Sequence, residues 1–278
     1  MNNVIHFLNG KFVTEDELVL SPRDLGFTRG YAVADFIVTH NQKPFKLIEH
    51  IDRLFHSASL IGLRIPWNKE QITAWVKETL DKNDKDTELT IKILLSGGIS
   101  SSMYQAEIPT IVMIVNAYVP PPTTYYEKGV KVKAVPYKRH YPEAKHTQYV
   151  EAIRQLAQVN EDTIEEILYY DDTQVFEGAG SNLFAVINNT LVTPKSNIVY
   201  GITRNTLLEI LHLPIPIEIR DFTFDSLMTA TEVFLTGSSK GVRGVTHINK
   251  KVIADGNVGD ITKEVMKQYK EYTQSDKW

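Results

Sequence analysis

Well before the middle of this 278-residue chain, Val119 is followed by three consecutive prolines. Each proline lacks a backbone N–H and fixes its own φ, so neither a helix interior nor a central strand runs through Pro120–Pro122. We read 119–125 as a linker between a small N-terminal α+β domain over 1–118 and a larger domain over 126–278. The length suits one large domain or two modest ones.

The first part opens on two short apolar runs split by Asn9-Gly10, a dipeptide that favours a tight hairpin. Asp35 to Thr39 reads as a strand. Leu47, Ile51, Leu54, Phe55, Ala58 and Ile61 then recur at helical spacing until Pro66 stops the run. A second helix is expected around Lys69 to Leu80, and strands at Thr90–Leu95 and Thr110–Val115. Beyond the prolines the texture is strand-rich: Val130–Pro136, then Ile167–Tyr170 and Gln174–Phe176 about Asp171-Asp172, then Leu183–Ile187 and Leu191–Thr193 about Asn188-Asn189. A helix is expected after Lys145, others at Thr203–Leu211 and Val258–Tyr272, and a strand at Glu232–Thr236. Strands and helices mixed in this way indicate an α+β protein.

Composition removes several classes of function. With 42% hydrophobic and 23% charged residues the chain is globular. Its net charge of −4 and scattered lysines and arginines argue against nucleic acid as a partner. It has no cysteine, which excludes disulfides, thiol catalysis and cysteine metal sites; no metal is expected. No stretch approaches the roughly 20 apolar residues of a membrane span, and the start is not a basic leader, so a soluble cytoplasmic protein with no membrane partner is expected.

Four features could carry chemistry. Lys145 lies in RHYPEAKHTQY, among the cationic or potentially cationic Lys138, Arg139, His140 and His146. A lysine amine attacks carbonyls only when uncharged, and nearby positive charge favours that form; the plainer reading is a surface lysine in a basic loop. Glu177 ends a strand and precedes Gly-Ala-Gly, where glycines permit close backbone approach to a ligand. It is either a carboxylate aimed at a protonated ring nitrogen or an ordinary solvated turn residue. Gly201-Ile202-Thr203 opens a helix whose unbonded N–H groups attract phosphate, unless Thr203 is a plain cap. With this third feature goes a similar loop at Thr236–Gly241, TGSSKG, which could form an anion nest or a simple turn. Finally His50 and Arg53, spaced i, i+3, share a helix face, either as a phosphate fork or as a solvated surface.

Taken in order, LSPRDLGFTRGYAVADF, IEHIDRLFHSA, PEAK, EGAGSNLFAV, YGITRNTL and EVFLTGSSKGV resemble the class IV aminotransferases of fold type IV. That family includes branched-chain aminotransferases, D-amino-acid transaminases and 4-amino-4-deoxychorismate lyases. The resemblance spans nearly the whole chain. It implies a two-domain α+β fold, with a small N-terminal α/β domain and a barrel-like C-terminal domain, and pyridoxal 5′-phosphate as cofactor. By that resemblance Lys145 matches the Schiff-base lysine and Glu177 the glutamate on the pyridine nitrogen. Arg53, Ile202, Thr203, Ser238 and Ser239 match groups on the cofactor phosphate. Tyr149 resembles the tyrosine on the phenolic oxygen, one residue closer to the lysine than is usual in branched-chain enzymes, and Asn182 supports the turn behind the ring. The implied reaction moves an amino group between an amino acid, branched-chain L- or D-, and a 2-oxo acid such as 2-oxoglutarate. A homodimer is also implied.

The pattern departs from the family in one stretch. The usual D-amino-acid transaminase carries an Arg-x-His carboxylate trap, and the branched-chain enzyme a Tyr-x-Arg pair, near ILLSGGISS at Ser96–Ser101. This chain has neither there. Arg29 and Tyr31, in FTRGYAV, are the candidate clamp for the substrate carboxylate, with Arg243 the second candidate. The competing functions are an aminodeoxychorismate lyase on the same fold and a catalytically silent binding protein on the same scaffold.

Overall fold

The computed structural model describes residues 4–159, 164–275 and 277–278. They form two compact units. The first comprises 4–119, 144–148 and Trp278; the second takes the rest, from Pro120 onward. The mixture of helix and strand is the α+β architecture expected.

The first unit contains β1 (His6–Leu8), β2 (Lys11–Val13), α1 (Leu25–Arg29), β3 (Ala32–His40), β4 (Lys43–Pro44), α2 (Leu47–Leu60), α3 (Lys69–Asp81), β5 (Leu89–Ile99) and β6 (Ile108–Ala117). Its six strands run β2-β1-β6-β5-β3-β4, antiparallel at every pairing. Asn9 and Gly10 both take positive φ, 47° and 90°, as the tight hairpin requires. In α2, Leu47, Ile51, Leu54 and Ala58 share one face and join the core with Ile37, Ile91, Ile93 and Met113 of the sheet. Asn68 caps α3 through a capping box with Gln71. β5 and β6 are longer than the apolar runs suggest, because the sheet continues across a bulge between Ser96 and Ile99. Gly98 makes that bulge possible: its φ is 69°, and a Cβ there would lie 1.6 Å from the Ile108 carbonyl oxygen.

The segment 144–148 belongs with the first unit for a backbone reason. Ala34 N–H donates to the Lys145 carbonyl at 2.9 Å, Thr147 N–H to the Ala32 carbonyl at 3.2 Å, and His146 bridges Val33. Read along the chain alone, these residues fall in the second half.

The second unit contains α4 (Thr124–Glu127), β7 (Val130–Pro136), α5 (Val150–Ala157), β8 (Ile164–Tyr170), β9 (Val175–Gly178), β10 (Asn182–Ile187), β11 (Thr190–Thr193), α6 (Ile202–Ile210), β12 (Ile217–Ile219), α7 (Phe224–Leu227), β13 (Glu232–Gly237), β14 (Gly241–Ile248), β15 (Lys251–Val252) and α8 (Asp260–Gln274). Eight strands follow the order β12-β11-β10-β13-β14-β7-β8-β9, and β15 pairs beside β14. Val192 of β11 and Val175 of β9, near opposite ends of that order, share one core with Val132, Leu168, Leu235 and Val245, so the sheet curls around it. The helix expected after Lys145 begins only at Val150. At Asp171-Asp172 the expected hairpin forms: β8 and β9 pair antiparallel with Tyr170 opposite Val175, and the Asp171 carboxylate shapes the turn by accepting from the N–H groups of Thr173 and Gln174. Among the described residues no helix is long and apolar enough to cross a membrane.

Candidate active site

In the first unit, a buried acid organises the basic side chains of α2. Asp35 lies on β3 and is fully enclosed. Its Oδ1 and Oδ2 accept from Arg53 Nη2 at 2.8 Å and Nε at 2.9 Å, and Oδ1 lies 2.5 Å from His50 Nδ1. Burial pushes the Asp35 carboxyl upward, but Arg53 and His50 outweigh it and hold it well below the usual carboxylate range. Burial likewise pushes His50 down, against the pull of Asp35, and the positive charges of Arg53 and Lys145 add to the depression. The triad is therefore an aspartate, a guanidinium and a histidine biased toward its neutral form.

Lys145 is held through its backbone. Its N–H donates to Ser57 Oγ on α2 at 3.1 Å, one turn beyond Arg53, while its carbonyl is engaged by β3. Two elements that carry Arg53 and Asp35 thus also fix the position of Lys145.

Arg29 is exposed at the end of α1, its Nη1 donating to the Thr28 carbonyl at 2.8 Å. The serine stretch that lacks a family trap supports this helix instead. Ser96 Oγ donates to Asp24 Oδ2 at 2.9 Å, and Asp24 Oδ1 caps α1 by accepting from Gly26 N–H at 2.7 Å. Gly97 leaves room for the Tyr31 ring, since a Cβ there would fall 2.6 Å from Tyr31 Cδ1. Burial raises the Tyr31 phenol above its ordinary value.

In the second unit, Glu177 on β9 is buried, and its two oxygens have different partners. Oε2 accepts from Asn182 Nδ2 at 3.1 Å and from Val199 N–H at 2.9 Å; Oε1 accepts from Arg139 Nη1 at 2.8 Å. Asn182 Nδ2 also donates to the Val199 carbonyl at 2.7 Å, tying β10 to the segment before α6. A Cβ on Gly201 would sit 2.0 Å from Asn182 Oδ1, so only glycine allows α6 to start this close. Gly201 offers no side-chain cap, and Ile202 and Thr203 follow, both buried. Asn182 pairs with Thr236 across β10 and β13, which sets both side chains on one face of the sheet. The buried Thr236 Oγ1 has no hydrogen-bond partner among the described residues.

Ser238 and Ser239 occupy the turn between β13 and β14, closed by Lys240 N–H on the Gly237 carbonyl at 3.2 Å. Tyr126 Oη secures the same turn by donating to the Lys240 carbonyl at 3.0 Å. Tyr149 stands at the N-cap position of α5. Arg243 is wholly enclosed and pairs with Glu165 at 2.9 Å; Lys240 reaches the same carboxylate at 2.5 Å. The Arg243 Nε and Nη2 are buried and have no hydrogen-bond partner among the described residues.

Residues 32–248 match the family model of the amino-transferases of class IV. The chain belongs to the class IV aminotransferase family. Its similarity extends over almost the full length of its relatives. It is 31% identical to a Methanocaldococcus jannaschii protein described provisionally as a branched-chain-amino-acid aminotransferase, covering 95% of each chain. It is 28% identical to the D-alanine aminotransferase of Staphylococcus aureus, over 97% of this chain and 98% of that one. The solved T.th. branched-chain amino acid aminotransferase, complexed with N-(5′-phosphopyridoxyl)-L-glutamate, shares the fold with a TM-score of 0.88 at 24% identity, covering 99% and 95% of the two chains.

Within this class IV chain, sequence reasoning misses two contacts. It takes Asp35 only as a strand residue, although a carboxylate among Val33, Ile37 and Val38 in a buried strand is a signal that a cation must meet it. It counts Arg139 among the cations around Lys145, whereas Arg139 pairs with Glu177.

Proposed function

We propose that the protein is a pyridoxal-phosphate-dependent aminotransferase acting between a branched-chain L- or a D-amino acid and a 2-oxo acid such as 2-oxoglutarate. The observation that carries this reading is the buried Glu177 carboxylate, oriented by three donors, in a chain of this family. The residues present fit the cofactor on independent grounds. Thr236 Oγ1 is a buried polar atom awaiting a partner, Gly201 leaves the start of α6 clear, and Arg53 is pre-set by Asp35.

When bound, pyridoxal phosphate supplies an aldehyde carbon that takes up amino groups and a ring that accepts the electron pair released as the substrate Cα loses its proton. Lys145 would hold that aldehyde through its amine. Lys145 Nζ, once released, would be the base that moves the proton of the substrate Cα. Glu177 would hold the ring nitrogen and favour its protonated form. Arg53, the N–H groups at Ile202 and Thr203, and Ser238 and Ser239 are the groups that would hold the phosphate. Tyr149 would bond the phenolic oxygen. Arg29, with Tyr31 beside it, binds the substrate carboxylate. We place the enzyme in the cytoplasm as a homodimer; the exposed Phe27, Met103, Tyr104 and Ile108 of the first unit support a partner surface.

The test is a panel of L- and D-amino acids with 2-oxoglutarate and the reconstituted protein, following glutamate. Borohydride treatment should fix the cofactor to the Lys145 peptide, and Lys145→Ala should lower turnover by about 10³-fold or more. Pyruvate release from aminodeoxychorismate without any 2-oxo acid would replace this reading with a lyase. No reaction with either, and no labelled Lys145, would remove the enzymatic reading.

A further inference from the structure

Arg139 lies six residues before Lys145 in a stretch whose other basic residues have no part in the chemistry described above. Its guanidinium is almost fully enclosed, with 10% of the side chain exposed, and it meets Glu177, 5% exposed, at 2.8 Å. The contacts on the carboxylate divide the work. Asn182 Nδ2 and Val199 N–H both bond Oε2, and both are neutral. They orient the group but bring no charge. A carboxylate enclosed to this degree without a cation takes up a proton instead of remaining ionised.

Other charged groups near Glu177 have contacts of their own. Arg204 on α6 lies close enough to feel Glu177, but its guanidinium bonds Thr193 Oγ1, the Pro194 carbonyl and Asn205 Oδ1. Lys138 sits over the Phe176 ring, 5.6 Å from its centroid. On β8, burial raises both the Glu166 carboxyl and the Tyr169 phenol, and burial also raises Tyr200 beside α6. These groups are biased toward neutral forms. Oε2 already receives two donors, so a ring N–H would meet Glu177 at Oε1, the oxygen that Arg139 holds.

We propose that Arg139 is a positioning residue for Glu177, keeping the carboxylate ionised and turned so that Oε1 faces the cofactor ring nitrogen. This rests on the function proposed above. Arg139 touches neither substrate nor cofactor; it acts through Glu177. A protonated Glu177 could not hold the ring nitrogen in its charged form, so losing Arg139 removes activity most at low pH and restores it as pH rises.

The test compares Arg139→Gln and Arg139→Lys with the wild type. Glu177 is followed in the cofactor-free protein by ¹³C NMR of labelled glutamate carboxyls, with Glu177→Gln identifying the signal. Turnover of the cofactor-loaded enzyme is measured across pH. The wild-type Glu177 signal should stay that of a carboxylate from about pH 5 to 8. In R139Q it should titrate within that window, and the acid limb of turnover should move up by about one to two pH units. R139K should keep both near wild type. A Glu177 signal that stays ionised in R139Q, or turnover reduced equally at every pH, overturns the proposal and leaves Arg139 merely structural. If R139Q does not fold, the wild-type protein decides: titration of Glu177 between about pH 5 and 8 overturns the proposal, and its absence together with an unmoved acid limb in R139K supports it. A protein that transaminates no amino acid would fail the functional reading, while the cofactor-free titration would still decide what Arg139 does to Glu177.

Discussion

Asp35 accepts both hydrogen bonds that one edge of the Arg53 guanidinium offers, from Nε at 2.9 Å and Nη2 at 2.8 Å. This side-on geometry fixes the plane of the fork as well as its position. Asp35→Asn removes the charge and turns an amide donor toward a cation. Breaking one partner of a buried pair costs about 3–5 kcal/mol of stability. We expect that loss in urea denaturation, and a pyridoxal phosphate affinity about tenfold weaker or worse by fluorescence titration. An unchanged affinity in a folded D35N protein would separate Arg53 from the phosphate.

His50 makes stability depend on pH in a defined direction. Its folded pKa lies below the ordinary histidine value because burial outweighs the attraction of Asp35. On acidification the unfolded chain therefore takes up a proton, below about pH 6.5, before the folded one does. Stability is fully present above that value and falls as pH drops. Asp35, whose folded pKa is depressed, adds a second loss below about pH 4. His40, also lowered by burial, contributes in the first stage. Unfolding free energies at about pH 7.5, 6.5 and 5.5 should decline in the wild type and more gently in His50→Gln. A wild-type profile with no slope there would contradict the assignment.

At Gly201 the backbone is unstrained, with φ of −64°, so substitution tests space alone. The Cβ of Gly201→Ala would stand 2.0 Å from Asn182 Oδ1 and force that side chain off Glu177 and Val199. Overpacking of this kind costs about 1–3 kcal/mol. A lower melting temperature and weakened cofactor binding should appear together. Full binding in G201A would show that Asn182 is dispensable behind the ring.

Arg29 is exposed and, among the described residues, bonds its own helix end, so Arg29→Ala should change stability by less than about 0.5 kcal/mol. Steady-state kinetics should nevertheless show KM for the amino acid raised about tenfold or more, through loss of a charge-assisted pair. If KM and kcat are both unaltered, the substrate carboxylate is bound elsewhere.

Much of the scaffold is written in neighbouring letters. Asn9-Gly10 takes the positive φ pair of its hairpin, α2 follows its apolar spacing to within a residue, and the Pro120–Pro122 run stands where one compact unit gives way to the next. Periodicity and turn chemistry act over a few residues, so they survive reading along a line. The order of PEAK, EGAGSN and YGITR likewise suffices for the family, because it preserves which chemistry follows which. The pairs that tune these groups are another matter. Asp35 meets Arg53 across 18 positions, Arg139 meets Glu177 across 38, and Ser96 meets Asp24 across 72. Each joins a side chain to one of many charges or hydroxyls of equal promise in the linear chain. Folding chooses among them, because enclosing a carboxylate is tolerable only where a donor of the right sign is already waiting.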